Sequence, residues 1–368
     1  MAQQLTTQNG QVEVAVGSES FGTSIIAILV KRSYRIIENQ PAQRLDEDAP
    51  FRRVDQQYDG AEPTEATVEH EFELAPLKSL TDVVVVGNAY APYGRPCQQM
   101  TASVSVADQT KSLLITGDRT CSYVQNGSPA FSDPAPFAVM PIRYERAYGG
   151  KDELSDPQLP FRYPRNDLGT GLALSNKREV IDALRLPNIE DASDLLTPER
   201  VVIGDPKRWQ AQPLPQGFGW RQRTWFPRGA LIGSYPAFLD TGTRTAEEKM
   251  GWLPQDYVSL AKQFRLAPNL PLFANGASFG LAFERLPEDA SIVLTGLTPS
   301  SALAFQLPSE TPQIALDVGR GAEALQTKLF TVSIEPDKMT LNMIWAGHYS
   351  VGEYARWSLI KNLQPEVM

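Results

Sequence analysis

A chain of 368 residues with 42% hydrophobic and 21% charged side chains is too apolar for a disordered tail and far too long for a small disulfide scaffold. With 34 Lys and Arg against 43 Asp and Glu its formal charge is −9, a poor basis for nonspecific nucleic-acid binding, which depends on clustered positive charge. Its 29 prolines exceed the usual share of about 5% and break helices and central strands, so the composition predicts short elements joined by many ordered loops.

The first twenty residues hold no apolar run of signal-peptide length, and the most apolar segment, Ile25 to Val30, meets Lys31-Arg32 at once. Nothing approaches the roughly 20 apolar residues of a membrane span, so the expectation is a soluble, cytoplasmic chain with no membrane insertion. Residues 1–150 read mainly as strands, expected at 24–37, 67–73, 82–90, 99–106 and 111–117. In the hairpin made by the last two, alternation puts Met100, Ala102, Val104 and Val106 on one face together with Leu113 and Ile115. That arrangement pairs Val104 with Leu113 and Ala102 with Ile115, and sets Cys97 opposite Thr120. Cys121 then points to the other face, so two free thiols are expected, in keeping with a reducing compartment. The helices of a βαβ unit are missing between these strands, which favours an antiparallel sandwich or barrel over a parallel doubly wound sheet.

Residues 151–271 change character. Prolines punctuate the stretch from Pro157 to Pro254, and four of the six tryptophans fall here, Trp209, Trp220, Trp225 and Trp252. They are expected to anchor loops onto the sheets. A helix is predicted over 176–186, with Asn176 as N-cap and Pro187 just after its end, and another over 245–250 before Gly251. Strands resume at 291–295, 313–318, 329–334 and 339–345. The fold class expected is mainly β, a β-rich α+β chain. Its sheets are antiparallel and sandwich- or barrel-like, with a Pro-rich, loop-rich middle section and a few short helices. The whole chain, 1–368, reads as one domain, divisible into a β subdomain at 1–150, a Pro/Trp-rich loop section at 151–271 and a C-terminal β section at 272–368.

Familiar site chemistries are scarce. Two histidines, His70 and His348, and no Cys-x-x-Cys leave neither zinc spacing nor a redox pair, and no phosphate loop occurs. The glycine pairs Gly169/Gly171 and Gly319/Gly321 lack a third glycine and the strand–helix context of a dinucleotide fingerprint. No metal and no cofactor are expected. Gly276-Ala277-Ser278-Phe279-Gly280 does fit the G-x-S-x-G nucleophile elbow, with Asp317 and His348 following in the order of a serine hydrolase. That alternative makes Ser278 the nucleophile, His348 its base and Asp317 the orienting carboxylate. It lacks the elbow's upstream parallel sheet, and Pro287 cuts short the helix that should follow.

Two groups stand out as partner-binding candidates. Arg143, Glu145, Arg146 and Tyr148 lie along an expected strand, either as interface anchors or as a scaffold tying the Gly149-Gly150 loops to the sheet. Trp220, Arg221, Arg223, Trp225 and Arg228 make a basic–aromatic cluster in an acidic chain, either an exposed surface or arginines stacked on tryptophans inside the monomer.

Four stretches are more distinctive than any catalytic motif. They are Ile28-Leu29-Val30-Lys31-Arg32-Ser33-Tyr34; Asp82 to Pro92 closed by Gly94-Arg95-Pro96; Thr116-Gly117-Asp118-Arg119 with Met140 to Gly150; and Tyr163 to Gly171 with Leu186-Pro187-Asn188-Ile189-Glu190. Together they resemble an uncharacterised-domain family of Gram-negative bacteria encoded beside type VI secretion genes. The resemblance continues through Phe218-Gly219, Pro227-Arg228 and Trp252-Leu253-Pro254 and weakens after Pro271, where Trp345 is followed by Ala346 instead of an arginine. It implies a non-enzymatic cytoplasmic effector adaptor or chaperone. Such a protein holds a secreted effector and helps load it onto the VgrG spike or its PAAR tip. The competing expectations are the Ser278-Asp317-His348 hydrolase and a structural component of the secretion assembly.

Overall fold

The unbroken apolar run Ile25 to Val30 marks the middle of the larger of two main sheets. The structure, a computed structural model, describes residues 5–7, 10–20, 23–124, 127–182, 184–232, 245–263, 268–317, 322–351 and 364–367. In the larger sheet Thr23–Arg35 lies between Gly10–Ser20 and Thr340–Val351, antiparallel to both. The sheet continues through Thr327–Glu335, Thr81–Val85 and Ala282–Phe283. Thr327–Glu335 and Thr81–Val85 run parallel, with Val332 beside Val83. Ile26, Ile28 and Val30 pack with Val12, Ile314 and Leu316 on one face. Ala27 and Leu29 pack with Phe51, Phe330 and Ile344 on the other. A strand covered on both sides has no use for polar alternation, which is why this segment reads as a run.

The second sheet has the order Ile189–Glu190, Gln109–Thr116, Gln99–Val106, Ser291–Thr295, Ala302–Gln306, antiparallel throughout. Val83, Val332, Ile334, Leu341 and Met343 of the large sheet share a core with Val104, Leu113, Ile115, Ile292, Leu294 and Phe305 of the second. The fold is therefore mainly β and sandwich-like, and neither sheet closes into a barrel.

The proline-rich middle section builds a core of its own. Tyr148, Tyr163, Trp209, Phe226 and Tyr257 meet in a chain of edge-to-face contacts with ring centroids 5.1, 6.0, 5.5 and 6.1 Å apart. Trp220 and Trp225, by contrast, belong to the core between the sheets, so these two anchor loops to it as expected. The longest α-helix among the described residues, Tyr257–Lys262, has six residues. Among the described residues no helix is long and apolar enough to cross a membrane.

Several expectations need correction. The hairpin pairs Lys111 with Val104 and Leu113 with Ala102, two residues from the predicted register. A slip of two keeps every side chain on its face, so alternation cannot detect it. The turn at Ala107-Asp108, with Ala107 at φ 52, fixes it instead. Cys97 bridges to Phe137, Cys121 pairs with Phe131 and Leu184, and both are free thiols. The helix expected over 176–186 is only Arg178–Ile181, starting after Lys177 with no side-chain cap. The expected 82–90 strand splits into Thr81–Val85 and Asn88–Tyr90, which join different sheets. Tyr144–Arg146 is a 3-10 turn, not a strand. Val318 and the Gly319/Gly321 pair lie outside the described residues.

Candidate functional site

Where the second sheet meets the middle section, the distinctive loops are drawn together by backbone contacts that only glycine permits. A Cβ on Gly117 would stand 1.8 Å from the Ala135 carbonyl oxygen. Gly149 holds φ 149, and a Cβ there would reach 2.1 Å from the Asn166 oxygen. Asn166 Nδ2 donates to the carbonyls of Tyr144 (2.7 Å) and Tyr148 (3.1 Å), tying the 163–171 loop to the 140–150 loop. Such bonds satisfy backbone groups that a buried loop cannot offer to water.

Residues of four of these segments, 116–119, 145–146, 169–170 and 186–188, line one open hollow of about 600 Å³. Three arginines reach it. Arg119 donates to Glu190 (2.6 Å) and to the Pro187 carbonyl (2.8 Å). Burial pushes the Glu190 carboxyl upward, opposed by the backbone N–H of Leu196 and by Arg119. Arg146 donates to Asp118 (3.2 Å) and Asn188 (3.0 Å), and Asn188 donates in turn to Asp118 (3.0 Å). Arg185 is exposed, and its guanidinium makes no ion pair or hydrogen bond among the described residues. The rim thus carries three arginines, Arg119 held by Glu190, Arg146 held by Asp118 and Asn188, and Arg185 unengaged, beside the carboxylates of Asp118 and Glu145.

The first group of partner-binding candidates sits at or beside this hollow. Arg143 pairs with Asp59 at 2.5 Å and lies 4.3 Å over the Tyr58 ring, while Glu145 accepts from the Thr67 N–H (2.7 Å) and hydroxyl (2.8 Å). Tyr148 is buried in the second core, its hydroxyl 3.3 Å from Gln212. The scaffold alternative describes Tyr148 and Glu145, which is tied to Thr67 although it borders the hollow together with Arg146.

The basic–aromatic cluster is a correction. Trp220, Arg221, Trp225 and Arg228 are all buried, so four of its five members offer no surface to a partner. Arg221 stacks on Phe279 at 4.3 Å and Trp252 at 5.2 Å. Arg228 pairs with Glu71 at 2.8 Å, and Trp225 donates to Asp167 at 2.9 Å. Arg223 keeps some exposure but is paired with Asp55 (3.2 Å) and Glu71 (2.8 Å). The arginines do stack inside the monomer, but on Trp252, Phe279, Phe72 and Phe273 rather than on the cluster's own tryptophans. Lys78 lies over Trp220, and Trp225 meets Tyr144 edge to face.

The hydrolase triad is likewise not assembled. Ser278 is fully buried, and its Oγ accepts from Lys111 Nζ (2.6 Å) and the Tyr144 hydroxyl (3.0 Å). His348 Nε2 lies 2.9 Å from the Pro76 carbonyl, and its ring tilts against Phe330. Asp317 ends a strand paired with Ala322 and Gln364. After Ser278 the chain enters the Ala282–Phe283 strand, without the helix of a nucleophile elbow. Lys111 was missed by sequence reasoning although a signal existed: it shares the parity of Leu113 and Ile115, so alternation places a lysine on an inward face. The residue keeps part of its surface in solvent while its ammonium is delivered inward. Burial, then repulsion from Arg221, pulls that ammonium down to about 7.

Among the described residues no three His, Cys, Asp or Glu side chains gather as a metal-ligand set. No curated protein and no solved structure matches this chain. The model of a family described as an uncharacterised protein conserved in bacteria, DUF2169, matches residues 22–346, a span that takes in the second sheet, most of the larger one, the middle section and the arginine-lined hollow, and the chain therefore belongs to the DUF2169 family.

Proposed function

We propose that this protein is a non-enzymatic cytoplasmic adaptor or chaperone that binds a type VI secretion effector and helps load it onto the VgrG spike or PAAR tip. One observation carries the reading. Segments that bear the resemblance to effector adaptors, around Asp118-Arg119, Glu145-Arg146, Gly169-Thr170 and Leu186-Asn188, converge on a single open hollow although they are far apart in sequence. The hydroxyl in the G-x-S-x-G motif is buried, held by Lys111 and Tyr144. An open, polar, preorganised rim and an enclosed nucleophile favour recognition over catalysis.

The test is co-purification with the product of a neighbouring gene and loss of that effector's secretion when this gene is deleted. Unchanged effector stability and secretion in the deletion strain would refute the reading. Arg185→Glu reverses the one unengaged cation of the hollow and should weaken capture by roughly tenfold, read by pull-down titration. Because Arg185 is exposed and its guanidinium engages no partner among the described residues, its replacement should leave the unfolding midpoint in place, so lost binding would not reflect lost folding.

A further inference from the structure

The hydroxyl of Ser278 and the carbonyl of the residue before it are each held by a partner suited to acyl transfer. Ser278 Oγ lies 2.6 Å from Lys111 Nζ and 3.0 Å from the Tyr144 hydroxyl. The Ala277 carbonyl accepts from Arg221 Nε at 2.8 Å, within the range of an oxyanion donor. The backbone leading to it is held as well. Asp82 accepts from the Gly276 and Ala277 N–H groups at 3.1 and 3.3 Å, and the Arg221 N–H donates to the Gly276 carbonyl at 2.8 Å.

Lys111 has the surroundings of a base. Its Nζ also reaches the Phe279 carbonyl at 2.7 Å, and it forms no ion pair with a carboxylate among the described residues. Burial first and Arg221 second pull it down to about 7, against the opposing charge of Asp191. As a neutral amine it accepts the Ser278 proton while still donating to Phe279, so the relay from Tyr144 through Ser278 and Lys111 to Phe279 has an acceptor for each bridging proton. Lysine serves as the base for serine in one variant of the nucleophile–base arrangement. Here Ala277 and Ser278 are both wholly buried, so no substrate from outside can meet the hydroxyl. The acyl group on its own nitrogen can, through a five-membered ring.

We propose that the chain cuts its own backbone between Ala277 and Ser278 by an N-to-O acyl shift. Lys111 takes the proton from Ser278 Oγ as the Oγ–C bond forms at the Ala277 carbonyl carbon. The carbonyl oxygen takes up the negative charge, held by the Arg221 N–H. The C–N bond then breaks and the proton on Lys111 passes to the Ser278 nitrogen, which leaves an ester between the two residues and a free amine on Ser278. Water hydrolyses the ester to an Ala277 carboxylate and the Ser278 hydroxyl. The reaction turns over once and needs no co-reactant but water, so it goes beyond the adaptor reading and does not depend on it. The two pieces stay together, because Thr340–Val351 after the cut pairs with Thr23–Arg35 before it.

The experiment follows the full-length protein at pH 8, with and without hydroxylamine, by mass spectrometry under denaturing conditions. Two pieces are expected, 1–277 and 278–368, with Ser278 as the new N-terminus. Hydroxylamine should trap the ester as a hydroxamate on Ala277. The rate should be about tenfold lower at pH 6, where Lys111 keeps its proton. Ser278→Ala and Lys111→Met should each stop the cut, and Ser278→Cys, which makes the corresponding thioester, should keep it. If the first two variants fail to fold, the hydroxamate on wild-type Ala277 decides. A wild-type chain that stays whole in hydroxylamine would overturn the proposal, as would cuts confined to other bonds such as Asn275-Gly276. A cut at Ser278 that persists in Ser278→Ala would overturn it too.

Discussion

Arg165 is enclosed by its partners. It pairs through both Nε and Nη2 with Glu247, lies 4.8 Å over the Trp209 ring, and donates to the Tyr163 hydroxyl at 3.1 Å. Both members of the pair are buried, so removing the carboxylate leaves an uncompensated guanidinium in the second core. Glu247→Ala should cost roughly 3–5 kcal/mol of stability in chemical denaturation. His70 shows what burial does to a titrating group. Desolvation first and the Arg52 charge second depress its pKa to about 4, against the opposing pull of Glu335. The unfolded chain takes up the proton as pH falls through about 6.5, while the folded chain resists until about 4. The folded state therefore loses stability across that window, and His70→Gln should flatten the loss when midpoints are compared at pH 7 and pH 4.5. Individual chemistry of this kind was the least legible part of the sequence. Arg221 and Arg223 look alike in the chain, yet one is stacked in the interior and the other reaches the surface, because tertiary packing sorts neighbours that share a composition.

At the scale of elements, local signals were reliable where the chemistry is short-range. The 245–250 prediction was borne out as the helix Ala246–Lys249. Thr245 Oγ1 accepts from the Glu248 N–H at 3.1 Å, and the Glu248 carboxylate accepts from the Thr245 N–H at 2.5 Å. Thr245→Ala should cost about 1 kcal/mol, measured by urea denaturation. Gly149 stands at the opposite extreme, fixed by its surroundings and not by its own element. Gly149→Ala would force a side chain against the Asn166 backbone at a positive φ, and should cost roughly 2–4 kcal/mol by the same measurement. The Gly10–Ser20 strand, with Val12, Val14 and Val16 alternating, was legible but went unread. The hairpin register was not legible, because two registers bury the same side chains and an alanine at positive φ gives no turn signal. For the hollow, the sequence offered its segments one by one, and only the topology brings Asp118, Arg146 and Arg185 to one place.

Over the whole molecule, adjacent residues repeatedly serve different cores. Ala147 packs between the sheets and Tyr148 in the middle section, and Trp225 and Phe226 divide in the same way. Neither core can come apart without dragging on the backbone of the other. We expect a single cooperative transition, with near- and far-ultraviolet circular dichroism coinciding in wild type and in Trp209→Ala alike. The substitution should lower the shared midpoint through a loss of roughly 3–5 kcal/mol. Two separated transitions would mean that the middle section unfolds by itself. The mainly β class was legible because the absence of helical periodicity is a property of long stretches. The second core was not, since prolines and tryptophans in loops announce ordered structure without saying what they pack against.

The pairing of Thr23–Arg35 with Thr340–Val351 has a consequence for how the protein is made. The central strand of the large sheet must wait for a partner roughly 300 residues away. At about 5–20 residues per second of synthesis, that is about 15–60 s with Ile25 to Val30 already outside the ribosome and one edge uncovered. A six-residue apolar segment without charge or proline is the kind that zips to its own copies while it waits. Newborn chains should therefore depend on a general holdase in the cell, and slowing translation should send more of them into aggregates even though the finished protein is sound.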